Sequence, residues 1–343
     1  MIYTLKVVEI RRETVDTVTL CFKQPSLRKI KYKSGQYLSL IFRINNRRYV
    51  RPYSLSSCPE TDQFLEVTVK RVENGIISNH IIDQVKQNDN IEVMPPMGNF
   101  IFDPESTFDT VYLWGVGSGI TPLISIAKHI LATKPLVKVH LIYGNKSVET
   151  TIFADKIKAL ELHYNERFFS VYFYTCLEIE SNKLNLVKGR IDKGKVEEII
   201  NKCNNLSNSC HFICGPRGLK ESVKSTLLFK GIDNENILYE DFESVKDPKD
   251  FVDVKTEKVC LNFKNEDYII EVTKGKSVLE AALDSNIELP YSCQTGRCNS
   301  CVGNLINGKA KMLGVIDDRK NLTVNEYLLC CTYPLNEHVK III

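Results

Sequence analysis

Residues 290–301 read Pro-Tyr-Ser-Cys293-Gln-Thr-Gly-Arg-Cys298-Asn-Ser-Cys301, and residues 328–334 read Leu-Leu-Cys330-Cys331-Thr-Tyr-Pro. Three cysteines stand at C-x4-C-x2-C, and Cys330 follows Cys301 by 29 positions. This spacing matches four-thiolate ligation of a two-iron, two-sulfide cluster. Two irons bridged by two sulfides need two thiolates each. A short loop with Gly296 and the small residues Ser292, Asn299 and Ser300 can wrap such a cluster and turn backbone N–H groups toward its sulfurs. The competing reading is zinc, because Cys298 and Cys301 also form C-x2-C. A structural zinc site usually shows two spaced pairs, and here the second pair is adjacent. A cluster with two histidine ligands is disfavoured, since no histidine lies between His211 and His338. Spacing alone does not decide between Cys330 and Cys331.

The rest of the chain gives that loop its setting. There are 343 residues, enough for two or three cores of about 100–150 residues each. Hydrophobic residues make 43% and charged residues 25%, the balance of a soluble globular protein. The net charge of +3 is spread without a basic block, which argues against a nucleic-acid partner. The N-terminal stretch MIYTLKVVEI lacks the features of a signal peptide. Thr110–Ala127 carries no charge, but Gly115, Gly117, Gly119 and Pro122 make it a strand, turn and helix rather than a membrane span. A cytoplasmic location is expected. Twelve cysteines in such a chain then point to metal or redox chemistry rather than disulfides.

Three rhythms divide the sequence. Residues 1–105 alternate apolar and polar positions in short runs (Tyr3–Ile10, Thr17–Phe22, Tyr37–Arg43, Phe64–Arg71), parted by turn residues such as Pro25-Ser26, Ser34-Gly35 and Asn45-Asn46. This predicts an antiparallel sheet or barrel with one helix starting after Ser78. Residues 106–242 alternate apolar strands with helical patterns, which predicts an α/β domain with a parallel sheet. Residues 243–254 read as a polar linker. Residues 255–343 form a small α+β domain around the cysteine loop.

Two further segments carry binding chemistry. Arg51-Pro52-Tyr53-Ser54 follows a strand, and Gly75-Ile76-Ile77-Ser78 opens a helix. Tyr53 can stack on a flat ring, Ser54 can donate a hydrogen bond, and Arg51 with the helix start can hold phosphate. Read alone, this match is equally that of a strand aromatic and an N-cap serine. Gly115-Val116-Gly117-Ser118-Gly119-Ile120-Thr121-Pro122 joins a strand to a helix. It is not G-x-G-x-x-G, and the next strand ends in Tyr143-Gly144-Asn145-Lys146 without an acid, so a standard Rossmann dehydrogenase is disfavoured. The glycines still let the backbone approach a pyrophosphate.

These motifs carry a resemblance. The cysteine loop with its C-x-x-Y-P ending resembles plant-type ferredoxins, in which the last ligand stands four residues before the proline; this selects Cys330. The cluster ligands are then Cys293, Cys298, Cys301 and Cys330. R-x-Y-S, the glycine–serine helix start, Gly98-Asn99-Phe100, G-x-G-x-G-x-T-P, Y-G-N and Cys214-Gly215-Pro216 follow the order of the ferredoxin–NADP reductase superfamily. That resemblance implies an FAD-binding β-barrel and a nicotinamide domain. It assigns FAD contacts to Arg51, Tyr53, Ser54, Val69, Lys70, Gly75, Ile77 and Ser78, with Arg71 close by. Nucleotide contacts fall to Gly117, Gly119, Thr121, Asn145, Lys146, Gly215 and Pro216. It places Cys214 beside the nicotinamide, and Glu240 and Phe242 in the terminal E-x-aromatic that covers the flavin. Ser54, Cys214 and Glu240 are the expected catalytic set. Lys146, where the adenosine ribose is read, favours NADPH over NADH.

The domain order resembles the reductase components of bacterial multicomponent oxygenases, such as the reductase subunit of phenylacetyl-CoA epoxidase. It implies electron flow from NAD(P)H through FAD and [2Fe-2S] to a partner protein, an oxygenase component being favoured. Reductases of hybrid-cluster protein and of acyl desaturases share the layout. A low-turnover redox-sensing module is the reading from another class. From Lys255 onward eleven Lys and Arg balance eleven Asp and Glu. That neutrality suits a domain tethered to its donor, which needs no acidic surface to find it.

Overall fold

The computed structural model describes residues 2–24, 29–176, 185–202, 206–243, 247–315 and 322–343. The Pro25-Ser26 turn and residues 244–246 of the expected linker lie outside them. Contacts divide the chain into two units. One holds residues 1–40 and 53–241, the other residues 41–52 and 242–343.

The first sheet contains β1 (Tyr3–Thr14), β2 (Thr17–Lys23), β3 (Tyr37–Ile44), β4 (Arg47–Ser54), β5 (Leu65–Lys70) and β6 (Asn90–Val93), in the order β4-β3-β6-β1-β2-β5. The pairings of β1 with β2 and β6, and of β2 with β5, are antiparallel. An isolated bridge between Leu55 and Val67 joins the two ends of that order, closing the sheet as a barrel must. Alternation explains the inward faces: Leu5, Val7, Leu20, Phe22, Leu38, Leu40, Val67 and Val69 are all buried. Helix α1 spans Ile76–Asp83, so it begins before Ser78 rather than after it.

The second sheet is built from β7 (Thr110–Val116), β8 (Lys138–Asn145), β9 (Phe168–Tyr174), β10 (Leu186–Lys188), β11 (Ser209–Cys214) and β12 (Ile237–Glu240). Its order is β10-β9-β8-β7-β11-β12, and every pairing is parallel. Helices α2 (Ile120–Thr133), α3 (Ala154–His163), α4 (Lys193–Ile200) and α5 (Arg217–Phe229) accompany it. Two apolar clusters, one around Leu113 and Leu141 and one around Trp114 and Ile213, cover the two faces. The strand order reverses between β7 and β11, so their carboxyl ends flank a switch point, where open α/β sheets bind ligands.

A buried histidine, His211, and a half-buried one, His140, sit in this sheet. Trp114 Nε1–H donates to His211 Nδ1 at 3.2 Å, so His211 carries its proton on Nε2, 2.9 Å from Ser209 Oγ. Ser209 in turn donates to the Leu206 carbonyl at 2.5 Å. Burial pushes His211 down to about 3. Burial, with Lys138 nearby, pushes His140 down to about 4. Below about pH 6.5 the unfolded chain protonates both and the folded chain does not. Stability is therefore complete above pH 6.5 and falls as pH drops toward 4. Each unit of folded-state depression is worth about 1.4 kcal/mol, so the pair removes roughly 2–4 kcal/mol between pH 7 and 5. Urea midpoints across this range should fall, and His140→Gln should flatten the slope. A flat profile in the unmodified protein would contradict the neutral imidazoles.

The second unit carries β13 (Glu257–Phe263), β14 (Glu266–Val272), α6 (Val278–Asp284), β15 (Val302–Asn307), β16 (Ala310–Met312), β17 (Glu326–Leu328), β18 (Thr332–Pro334) and β19 (Val339–Ile342). Its main sheet runs β14-β13-β19-β15-β17, with β13 and β19 parallel and the rest antiparallel. The start of α6 is fixed by a capping box between Ser277 and Glu280, and Val278, Leu279, Ala281 and Ala282 form its buried face. The later part of the stretch read as a linker is folded. Pro248–Phe251 makes a 3-10 turn, and Phe251 and Val254 pack with Tyr333. Among the described residues no helix is long and apolar enough to cross a membrane.

Candidate cofactor and redox site

The glycine turn is held from three sides. Gly117 has a φ of +55°, and an added Cβ there would meet nothing within 4 Å. Gly119 differs: an added Cβ would stand 2.0 Å from the Cys214 carbonyl oxygen. Only glycine lets α2 begin this close to the end of β11. Tyr143 Oη–H donates to the Gly117 carbonyl at 2.9 Å, and Thr121 Oγ1–H donates to that of Ser118 at 3.0 Å. Asn145, at the end of β8, is buried, and its Nδ2 has no hydrogen-bond partner. A buried amide donor left unmet is costly, and here it stands at the carboxyl end of the sheet. Open space above Gly117 and this donor fit a dinucleotide. Lys146 beyond it is exposed.

Register then gathers the expected catalytic set. Cys214 pairs with Gly115 on one side and Glu240 on the other. Cys214 and Glu240 are both buried. Ser54 Oγ–H, at the end of β4 and itself buried, donates to Glu240 Oε2 at 3.3 Å. Ser54, Glu240 and Cys214 thus converge although 186 residues separate the first two. Gly215 and Pro216 follow Cys214 and lead into α5. Phe242 is exposed and falls in the second unit.

The expected flavin contacts lie on β4, β5 and α1. Tyr53 is half-buried, Val69 is buried, and Lys70 faces Asp16 at 3.7 Å. Arg51 Nη1 donates to the Val50 carbonyl at 2.9 Å. Arg71 is committed to Asp83 through both guanidinium nitrogens. Ser78 is not the N-cap the sequence suggested. Gly75 caps α1, Ile77 is buried, and the Ser78 hydroxyl accepts from Val72 N–H at 3.1 Å. The reason is local: an added Cβ at Gly75 would come within 2.7 Å of Ser78 Oγ, so a glycine cap lets the serine fold back beneath it. The anion-binding capacity of this helix start therefore rests on its first-turn N–H groups, which have no helical partners.

In the second unit Cys293, Cys301 and Cys330 are buried and Cys298 is partly so. Thr295 N–H and Cys298 N–H point at Cys293 Sγ, at 3.5 and 3.3 Å. A hydrogen bond with Cys293 lowers the Cys298 thiol and raises its partner, and Cys301 is raised by its bond to Cys330. Two thiol pairs, 293 with 298 and 301 with 330, fit an iron each. Cys331 Sγ lies 3.6 Å from Cys330 Sγ and close to Gly296. The loop is braced from the β3–β4 hairpin tip, which belongs to this same unit. Val50 N–H donates to Tyr291 Oη at 3.0 Å, and Gln294 Nε2 donates to the Val50 carbonyl at 3.1 Å. Gln294 takes a φ of +58° to do so. Sequence reading missed Tyr143, Tyr291 and Gln294, whose roles depend on distant carbonyls. It also passed over Glu149, four residues beyond the end of β8.

Known proteins are similar to this chain along its length. Family models for an oxidoreductase FAD-binding domain, an oxidoreductase NAD-binding domain and a 2Fe-2S iron-sulfur cluster binding domain match residues 4–102, 113–225 and 262–335. The ferredoxin reductase component of 3-ketosteroid-9-alpha-monooxygenase from Rhodococcus rhodochrous is 32% identical over 355 residues, covering 98% of this chain and 95% of its own. One component of the 1,2-phenylacetyl-CoA epoxidase of Escherichia coli K12 is 28% identical over 346 residues, covering 98% and 96%. The solved structure of phthalate dioxygenase reductase superposes with a TM-score of 0.68 at 20% identity, covering 99% and 97%. Fold and domain order define an electron-transfer oxidoreductase that uses FAD, NAD(P)H and [2Fe-2S]. The chain belongs to the family of oxygenase ferredoxin-reductase components that the Rhodococcus protein represents.

Proposed function

We propose that this chain is the NAD(P)H-oxidising component of an oxygenase system acting on an aromatic or acyl-CoA-type substrate, and that its partner is the oxygenase component. The observation that carries this reading is full-length similarity to the ferredoxin reductase component of a ketosteroid monooxygenase and to a component of a phenylacetyl-CoA epoxidase. When bound, FAD would accept hydride from NAD(P)H and supply electrons singly to the cluster. The chain's own part is placement. Ser54 and Glu240 orient one reacting face, Cys214 borders the nicotinamide, and Gly117, Gly119 and Asn145 seat the dinucleotide. Cys293, Cys298, Cys301 and Cys330 hold the irons. The test is reconstitution: anaerobic protein is mixed with NAD(P)H and candidate acceptors. Rapid oxidation by an oxygenase component, with slow oxidation by hybrid-cluster protein or a desaturase, supports the reading. The reverse order of rates would overturn the oxygenase assignment.

We also propose NADPH as the preferred nucleotide. Lys146 is exposed at the end of β8, where a cation attracts a 2′-phosphate. Glu149, whose carboxyl is lowered by a hydrogen bond from Ser147, opposes it nearby. Lys146→Glu should lower the NADPH to NADH ratio of kcat/KM at least ~10-fold, the effect of about 1.4 kcal/mol. An unchanged ratio would remove Lys146 from specificity.

A further inference from the structure

We propose that Cys58, Glu60 and His129 form a binding site for one zinc ion, separate from the cysteine loop. Cys58 and Glu60 lie between β4 and β5, and His129 lies on α2. The three ligand atoms are within 4.8 Å of one another. Cys58 Sγ is 2.9 Å and His129 Nδ1 is 3.1 Å from Glu60 Oε2. Nδ1 is shielded from solvent and faces that oxygen at ion-pair distance. When the ring carries its proton on Nε2, the Nδ1 lone pair faces the same space as the thiol and the carboxylate. One sulfur, one imidazole nitrogen and one carboxylate oxygen are a zinc donor set, whereas calcium and magnesium take oxygen alone. Tetrahedral zinc spaces such donors by about 3.3–3.6 Å, given bonds near ~2.3 Å to sulfur and ~2.0 Å to nitrogen or oxygen. Small side-chain movements reach that spacing.

The surroundings are already locked. Ser125 Oγ–H donates to the Ser57 carbonyl at 2.6 Å. Asp62 accepts from Cys58 N–H at 2.7 Å and pairs with Lys128. Ser125, Lys128 and His129 form one face of α2, and the loop Ser57–Asp62 is pinned against it. Cys58 now donates its proton to Glu60; zinc would displace that proton to solvent. Thiolate and carboxylate together then balance the dication. Glu60 and the exposed edge of His129 leave the fourth position to water. The site would staple the segment that follows Ser54 to the helix that follows the glycine turn.

The experiment uses holoprotein carrying flavin and two irons per chain, stripped of other metals and titrated with zinc chloride. One zinc per chain is expected, with a zinc-edge X-ray absorption shell of one sulfur near ~2.3 Å and nitrogen or oxygen near ~2.0 Å. Cys58→Ser should remove the sulfur shell, and both Cys58→Ser and His129→Gln should weaken binding at least ~10-fold. Flavin and iron content identify any variant that fails to fold, and His129→Gln, at a partly exposed residue, serves if Cys58→Ser does. Absence of stoichiometric zinc, a shell of several sulfurs, or wild-type zinc affinity in both variants overturns the proposal.

Discussion

Cys330→Ser is expected to abolish the cluster, taking iron from two per chain to near zero and lowering cytochrome c reduction at least ~100-fold, while NAD(P)H still bleaches the flavin. Cys331→Ser is expected to keep both irons. The two thiols are adjacent in sequence and both buried, so neither exposure nor spacing separates them. Their neighbours do. Cys330 shares a thiol hydrogen bond with Cys301 and completes the second thiol pair, whereas Cys331 Sγ sits where a Cβ on Gly296 would come within 2.9 Å. A serine at 330 replaces a thiolate ligand with a hydroxyl that stays protonated and binds iron poorly, and an iron left with one protein ligand is readily lost. A serine at 331 changes contacts with the loop and with Cys330 Sγ but removes none of the four expected ligands. Iron analysis and the reduced-state EPR signal decide it. Retention of iron by Cys330→Ser together with its loss from Cys331→Ser would exchange the two roles. Gln294→Ala offers a milder comparison: its bond to Val50 braces the loop without touching the irons, so it should shift the EPR signal and leave the iron count alone.

The periodic elements were readable because each buries one face. Strands β2, β3 and β5 stand within one residue of their apolar runs, and β1 starts with its run and extends four residues past it. Punctuation misled where side chains turn inward. Ser78 looks like a cap, but Gly75 caps and Ser78 binds back to Val72. Residues 243–254 look like a tether because they are polar, yet Phe251 and Val254 are the anchors of a local core. Two apolar residues in a charged stretch carry no period. The site was legible residue by residue through its motifs and not as an arrangement. Nothing local in R-P-Y-S announces a bond to Glu240, and nothing near Ser57 announces α2. Those contacts exist because parallel register sets Cys214 beside Glu240, and because the barrel closes through Leu55 and Val67.

Ser54→Ala should lower the rate of flavin reduction by NAD(P)H roughly 10²-fold, and Glu240→Gln by roughly 10-fold, with cofactor content unchanged. The Ser54 hydroxyl is buried and 3.3 Å from Glu240 Oε2. Alanine removes a donor from a site where water cannot replace it, and one preorganised donor at a reacting centre is typically worth about 10²–10³ in rate. The carboxamide of glutamine keeps an acceptor for Ser54 and the same shape, so the smaller loss isolates the charge. If the pair merely held the two sheets together, both variants would instead lower the unfolding midpoint and leave the rate per bound flavin intact. Stopped-flow reduction at saturating nucleotide, normalised to flavin and set beside the thermal midpoint, separates these outcomes. A wild-type rate in Ser54→Ala would make the contact structural and leave Cys214, which lies against the glycine turn, as the remaining candidate for orienting the nicotinamide.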